Sequence, residues 1–291
     1  MIVVFGATGS TGVPLVRRLM AEGRAVRAAV RDAARARALL GGGVELVEAD
    51  LERPATLPRA LAGATSVYCA VGGPTGTTDL VGAERGLIDA ARAAGVGHYV
   101  KVSGVDASPE GPARIQRWHG EIERHLEGSG VPFTVLRPNF FLQNFLGLAP
   151  AIASGALPLP TGEARAALID ARDIADAAAA VLTTPGHAGR RYTLTGPVAV
   201  SHGEVAAALA RGLGARVEFL DVPPEAFRAG GVDAGMPPWF ADLLTDVYVT
   251  VFAAGRAARV TDDVARLTGH APRSLDDFIR DHRDALAGAK P

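Results

Sequence analysis

The sequence has one cysteine, Cys69, which excludes an intrachain disulfide and any zinc site built on several thiolates. Within "SVYCAV" that residue reads as a small buried apolar side chain rather than a nucleophile. An excess of either charge is also lacking: 30 Lys and Arg face 31 Asp and Glu, a formal net charge of -1 at pH 7. Scattered bases at near-neutrality give no electrostatic footprint for nucleic acid or an anionic membrane, which are normally met by clustered cations. No apolar run reaches membrane-spanning length. Met1 runs straight into the first predicted strand without a charged leader region, so a cytoplasmic protein is expected. Internal repeats and low-complexity tracts are absent as well. What is present is a chain of 291 residues, 48% hydrophobic, enough for a main domain with a smaller lobe.

Short β-branched runs alternate with Ala/Leu/Arg-rich stretches of helical period. The strands are predicted at 2–5, 25–30, 44–47, 66–71, 98–103 and 132–136, and the helices at 11–22, 33–40, 54–62, 78–94 and 114–129. Such alternation predicts an α/β fold, a Rossmann-type doubly wound parallel sheet. Gly23, Gly63, Gly95 and Gly130 stand where four of these helices should stop. After Arg137 the pattern changes to Pro-rich turns, longer helices and short strands near 166–169, 191–195 and 216–220. The expected division is therefore 1–155 for the dinucleotide-binding domain and 156–291 for a smaller, mainly helical substrate lobe. Segments near 166–195 are expected to return to the first domain.

"VVFGATGSTG", residues 3–12, places Gly6, Gly9 and Gly12 directly after a predicted strand and at the opening of a helix. That setting is what a dinucleotide fingerprint requires. Gly6 permits a tight turn, Gly9 a close approach of backbone to pyrophosphate, and Gly12 close helix-to-strand packing. Thr8, Ser10 and Thr11 complete the loop, whose free N–H groups face phosphate. The G-x-x-G-x-x-G spacing points toward short-chain-type reductases.

The second strand ends in "VRD". An acid about 20 residues beyond the loop binds the ribose 2′-hydroxyl of NAD, whereas an arginine accommodates the 2′-phosphate of NADP. Arg31 holds that position and its guanidinium suits bidentate phosphate contact, so NADP(H) is favoured over NAD(H). Asp32 keeps the alternative open, because its carboxylate either contacts the hydroxyl or starts the following helix. Asp50 and Leu51, after the third strand, fall beside the adenine; the Asp50 carboxylate either accepts from the adenine amino group or caps a helix.

Together with "HYVKVSG" (98–104), "HGEIERHLEGSGVPFTVLRPNFFLQNF" (119–145), "DARDIADAAAAVL" (170–182) and "TGHAPRSLDDFIRDH" (268–282), these stretches resemble the NmrA-like, atypical short-chain dehydrogenase/reductase family, in its quinone-reductase and azoreductase-like branch. The resemblance covers nearly the whole chain. It implies a Rossmann domain, NADP(H) preference and a small C-terminal lobe forming a substrate cleft. It also implies two functional classes, reductases of quinones or related carbonyl and azo compounds, and redox sensors that bind the dinucleotide without turnover.

Typical short-chain reductases use a Tyr-x-x-x-Lys pair to donate a proton as hydride arrives. By helix register His119 resembles the lysine position, and Ile115 stands where the tyrosine would be. The standard route of alcohol dehydrogenation is thereby disfavoured. What remains is hydride transfer to an acceptor that needs little acid help, such as a quinone, whose reduction leaves charge on a stabilised phenolate-type oxygen. His119 is the candidate donor, or a hydrogen-bond partner of the nicotinamide ribose, since an unperturbed imidazole titrates near neutrality. The alternative for His119 is a surface position on an amphipathic helix.

Ser103, at the carboxyl end of the fifth strand, resembles the serine of short-chain reductases and is a second catalytic and cofactor-facing candidate. Lys101, farther back, would lie under the cofactor unless it pairs with a helix carboxylate. Gly72 and Thr75 are candidates on the nicotinamide side. After the sixth strand, Pro138 should aim Asn139 toward the cofactor, with Phe140, Asn144 and Phe145 toward a flat substrate ring, although core packing is an equal reading for Phe145. No metal-ligand spacing is found. The expected activity is NAD(P)H-dependent hydride transfer to a quinone, azo or conjugated carbonyl acceptor. The alternatives are a non-catalytic NADP(H) sensor and a ketoreductase of polycyclic aromatic metabolites. The expected partner is a small aromatic or quinone substrate, without nucleic acid or membrane, and a homodimer is compatible with the sequence.

Overall fold

A computed structural model describes residues 1–72 and 79–288 of the chain. In chain order the elements are β1 (Ile2–Phe5), α1 (Gly12–Ala21), β2 (Val26–Val30), α2 (Ala33–Leu40), β3 (Glu45–Glu48), α3 (Leu57–Leu61), β4 (Ser66–Cys69), α4 (Leu80–Ala93), β5 (His98–Val102), α5 (Arg114–Gly128) and β6 (Phe133–Pro138). They continue with α6 (Ala149–Ala153), β7 (Ala156–Leu159), β8 (Arg165–Ala166), α7 (Ala171–Thr183), β9 (Arg190–Leu194), β10 (Val200–Ser201), α8 (His202–Leu213), β11 (Glu218–Asp221), α9 (Pro224–Asp233) and α10 (Pro238–Val247). Three short helices close the chain: α11 (Asp263–Thr268), α12 (Leu275–Asp281) and α13 (Arg283–Leu286). Among the described residues no helix is long and apolar enough to cross a membrane.

The chain forms two compact units, one made of Met1–Gly111, Gln116–Arg137 and Arg172–Thr193, the other of Pro112–Ile115, Pro138–Ala171 and Leu194–Pro291. The main change of unit falls at Arg137/Pro138, ahead of the 155/156 expected from composition. Pro138 closes β6, and the side chain of the next residue, Asn139, turns the chain by accepting from the Phe140 N–H at 2.8 Å.

In the first unit a seven-stranded sheet runs β3-β2-β1-β4-β5-β6-β9. The pairings from β3 to β6 are parallel. Hydrogen bonds from Gly189 N to Phe133 O (2.7 Å) and from Asn139 N to Leu194 O (2.8 Å) show that β9 runs the same way. The central strands read as continuous apolar runs because helices cover both faces: Val3, Val4, Val67, Tyr68, Tyr99 and Val100 have no exposed surface. On α1 the 3.6-residue period buries Leu15, Val16 and Leu19 against the sheet. The strand order reverses between β1 and β4, the switch point at whose carboxyl ends such sheets bind ligands.

The second unit has its own core, in which Leu142, Phe145, Leu157, Leu209, Phe252 and Phe278 are almost wholly buried. Its helices α8 and α12 begin with reciprocal capping boxes, Ser201 with Glu204 and Ser274 with Asp277.

Candidate active site

The turn after β1 is shaped by its glycines for different reasons. Gly6 has φ +80°, and a Cβ there would collide with the Ala70 carbonyl at the end of β4; a Cβ on Gly12 would collide with the Gly6 carbonyl and the Ala7 backbone. Both are required by the chain's own packing. Gly9 is not: its nearest atom to an added Cβ is Gly6 O at 3.2 Å, and its outer side is open. At the start of α1 the N–H groups of Ser10, Thr11 and Gly12 have no acceptor among the described residues, as at an anion-binding helix end. The Thr11 side chain has a partner of its own. It is buried, and its Oγ1 accepts from Tyr68 O–H at 2.8 Å, which leaves only the Thr11 amide for a ligand.

An open cleft extends from this turn across the ends of β2 and β3. Its walls include Thr8, Gly9, Arg31, Asp50, Leu51 and Gly72. Arg31 and Arg35 both line it, are exposed, and have no side-chain partner among the described residues. Asp32 is spoken for, since it is the N-cap of α2 and accepts from Arg35 N at 3.0 Å. Asp50 is likewise tied locally: its carboxylate accepts from Glu52 N (3.1 Å) and Arg53 Nε (3.2 Å). The expected contact at Thr75 lies outside the described residues.

Between β5 and α5 lies a buried polar network within the same unit. Lys101 Nζ donates to Glu84 Oε2 on α4 at 2.5 Å, both side chains having 0% exposure, so the conditional pairing with a helix carboxylate is the one that occurs. Lys101 Nζ also lies 3.3 Å from His119 Nδ1. His119 is buried rather than on the surface, and burial, then the charges of Lys101 and Arg137, hold its pKa well below the usual imidazole value. That corrects the expectation of a ring titrating near neutrality. His119 is a neutral hydrogen-bonding group, unable to serve as a cationic acid near pH 7.

Ser103 Oγ donates to Glu123 Oε1 at 2.5 Å. Glu123 is in turn clamped by Arg137, through Nε to Oε1 (3.1 Å) and Nη2 to Oε2 (2.6 Å), with Arg191 Nε at 3.4 Å. The Ser103 proton therefore points into the protein, and toward a ligand the hydroxyl is left with acceptor capacity only.

In the second unit the residues beyond β6 are corrected in part. Asn139, expected at the cofactor, is buried, with Nδ2 donating to Ala257 O (2.8 Å), N–H to Leu194 O (2.8 Å) and Oδ1 accepting from Phe140 N–H. Its polar groups are occupied in fixing the turn that follows Pro138. Phe145, expected against substrate, is 1% exposed in the core, where its ring meets His202 edge-on at 6.1 Å. Phe140 is half-buried against Tyr248 (5.4 Å) and Phe252 (5.1 Å), and Asn144 is exposed. Ile115 packs partly buried against this same core, so no proton donor stands at the tyrosine position.

Glu84, Glu123, Arg137 and Arg191 were not singled out from sequence. A signal existed for the first two. Glu84 lies on the stripe of α4 that buries Leu80, Leu87 and Ile88, and Glu123 beside the buried Ile122 and Leu126 of α5. A carboxylate on an apolar stripe implies a buried cationic or hydroxyl partner.

Comparison with known proteins places this geometry. The chain is 39% identical to the NAD(P)H azoreductase of Xenophilus azovorans over 290 residues, 99% of this chain and 100% of the relative. It superposes on the NADPH complex of the NADPH-dependent quinone oxidoreductase of Escherichia coli with a TM-score of 0.87 at 30% identity, covering 97% and 99% of the two chains. The triphenylmethane reductase of Citrobacter sp. complexed with NADP(H) gives a TM-score of 0.85 at 27% identity over 100% of both chains. The model of the NmrA-like family matches residues 1–251, and the chain belongs to that family.

Proposed function

We propose that the protein is an NAD(P)H-dependent oxidoreductase that transfers hydride to a quinone, an azo compound or a similar conjugated acceptor. The observation that carries this is the cleft at the ends of β1–β3, lined by Thr8 and Gly9 of the turn that leads into the three unpartnered amides of α1 and by two arginines with no side-chain partner among the described residues. The relatives named as azoreductase and quinone oxidoreductase support the activity. The residues present fit a dinucleotide: Gly9 leaves its outer side open for pyrophosphate, and Arg31 with Arg35 offers cations for a 2′-phosphate where Asp32 is engaged as a cap. When bound, the cofactor supplies the hydride.

The chain's own part is to bind, orient and hydrogen-bond. The Ser10, Thr11 and Gly12 amides hold negative charge, and Thr8, Asp50, Leu51 and Gly72 wall the cleft. Ser103 accepts from a ligand donor, and His119 donates through its outer nitrogen. With Ile115 in the place of a tyrosine and His119 neutral, neither position supplies a strong acid, which suits an acceptor whose reduced oxygen is a stabilised phenolate that water protonates. Phe140 and Asn144 remain the proposed substrate contacts of the second unit, and a cytoplasmic setting is part of the proposal.

The test mixes the purified protein with NADPH and a panel of quinones, azo dyes and aryl ketones while the nicotinamide absorbance is followed. Acceptor-dependent oxidation well above the protein-free control is expected. Tight NADPH binding without turnover on any acceptor would instead favour a non-catalytic sensor, the reading that Ile115 at the tyrosine position keeps alive.

A further inference from the structure

We propose that Glu84 and Lys101 are positioning residues: the Lys101 ammonium, anchored by Glu84, donates to Nδ1 of His119 and locks the imidazole as an Nε2–H donor presented at the carboxyl end of β5. The role in turnover rests on the oxidoreductase reading; the lock itself does not.

The argument begins with the cost of the pair. Two opposite charges with no exposed surface, one on the interior strand β5 and one on α4, lose their hydration, and an apolar pair of similar volume would pack without that loss. Their contribution is therefore to be sought in what they orient. Lys101 Nζ has three protons and three acceptors around it, Glu84 Oε2 at 2.5 Å, His119 Nδ1 at 3.3 Å and Val102 O at 3.4 Å. An ammonium has no lone pair to offer, so Nδ1 must carry the lone pair in this contact and the ring proton must sit on Nε2. The side of the ring bearing Nε2 faces the strand end, because Cδ2 lies 3.4 Å from where a Cβ on Gly104 would stand. Gly104 is the second residue beyond β5, and its missing side chain leaves the ring unpressed.

The charged groups around His119 reinforce the neutral form. Lys101 on β5 and Arg137 on β6 disfavour a second proton, while the two nearby carboxylates, Glu84 on α4 and Glu123 on α5, are already bonded to Lys101 and to Arg137 with Ser103. Protonation being disfavoured, the tautomer is the one remaining variable of the ring, and a single lysine contact decides it. A ligand hydroxyl or carbonyl oxygen at the end of β5 then meets a donor of fixed direction, next to the Ser103 hydroxyl that can only accept. The pair of positions would thus discriminate a ligand's acceptor atom from its donor atom.

The experiment uses the full chain labelled with ¹⁵N-histidine, with the His119 ring resonances assigned by their loss in His119→Gln. The wild-type protein is expected to show only the Nε2–H tautomer of His119 between about pH 5.5 and 8. In the double variant Glu84→Gln/Lys101→Met, which leaves no uncompensated buried charge, both tautomers should appear. There kcat toward a quinone should fall about tenfold, as for a lost orienting partner, with the KM for NADPH unchanged. A mixture of tautomers in the wild type overturns the proposal without recourse to any variant. So does a folded double variant that keeps the single tautomer, or one that loses it with kcat intact. Absence of turnover in the wild type would count against the oxidoreductase reading instead, leaving the tautomer spectra to decide the lock.

Discussion

At the ends of β1 to β3 two cationic side chains of the cleft stand in solvent without partners among the described residues, whereas between β5 and α5 the polar side chains are wholly or partly buried and bonded to one another. Arg31 and Arg35 belong to the first kind; Glu84, Lys101, Ser103, Glu123 and Arg137 belong to the second. The two regions share one sheet and differ in when their electrostatics are satisfied. In the cleft the opposite charge must come from a ligand, so a substitution there should alter affinity and leave the fold intact. In the network it is already present, so a substitution there should be felt in stability before any ligand binds.

The largest effect is expected inside the cleft's own turn, where the division can be broken most directly. Gly12→Ala drives a Cβ into the Gly6 carbonyl and Ala7 backbone, groups that cannot swing aside, and should cost about 3 kcal/mol or more in urea unfolding. Gly9→Ala, with its outer side open, should change stability by less than about 1 kcal/mol while weakening NADPH binding. Equal losses of stability in both variants would erase the distinction between a glycine required by packing and one that makes room for a ligand.

Next comes the network. Glu123→Gln withdraws the charge that clamps Arg137 and accepts from Ser103; with Arg137 partly open to water, a loss of about 2 kcal/mol is expected, read by urea unfolding. His119 adds a pH dependence of known sign. Its folded pKa is depressed by burial, so below about pH 6.5 the unfolded chain binds the extra proton and the folded chain does not. That stability is fully present above the unfolded pKa and is lost as pH falls toward the folded one. His119→Gln should flatten this part of the acid limb, and an unchanged limb would mean that the ring is solvated.

How far each region could be read in the sequence follows the same division. The sheet and the cleft are built from local patterns: β-branched runs, glycines three apart, an arginine at a strand end, each a neighbour in sequence of what it acts with. The network joins residues 17 and 18 positions apart, Glu84 and His119 to Lys101, and only the packing of α4 and α5 on β5 brings them together. Proximity in sequence also misled. Thr11, just ahead of α1, and Asn139, just after β6, were expected at a ligand, yet each side chain is taken by a partner far along the chain, Tyr68 and Ala257. Phe145, a flat ring near the same turn, was equally legible as core, and the core took it.

Arg31→Ala sharpens the comparison from the ligand's side. The guanidinium has no partner to lose among the described residues, so stability should stay within about 0.5 kcal/mol of wild type. NADPH affinity, by calorimetry, should drop about tenfold, or ~1.4 kcal/mol, for one charge-assisted contact, and NADH affinity should hardly change. A matching loss for both cofactors would mean that Arg31 does not meet the 2′-phosphate.

The smallest effect separates Asp32 from its neighbour. As N-cap of α2 it accepts from Arg35 N, so Asp32→Ala should cost about 1 kcal/mol of stability, detectable as a lowered urea midpoint. Were it instead a ribose ligand, the same change would leave stability alone and weaken NADH more than NADPH. The two outcomes are opposite in both readouts. The expected one, stability lost with NADH affinity kept, assigns Asp32 to the satisfied side of the comparison although it stands one residue from Arg31, at the mouth of the cleft.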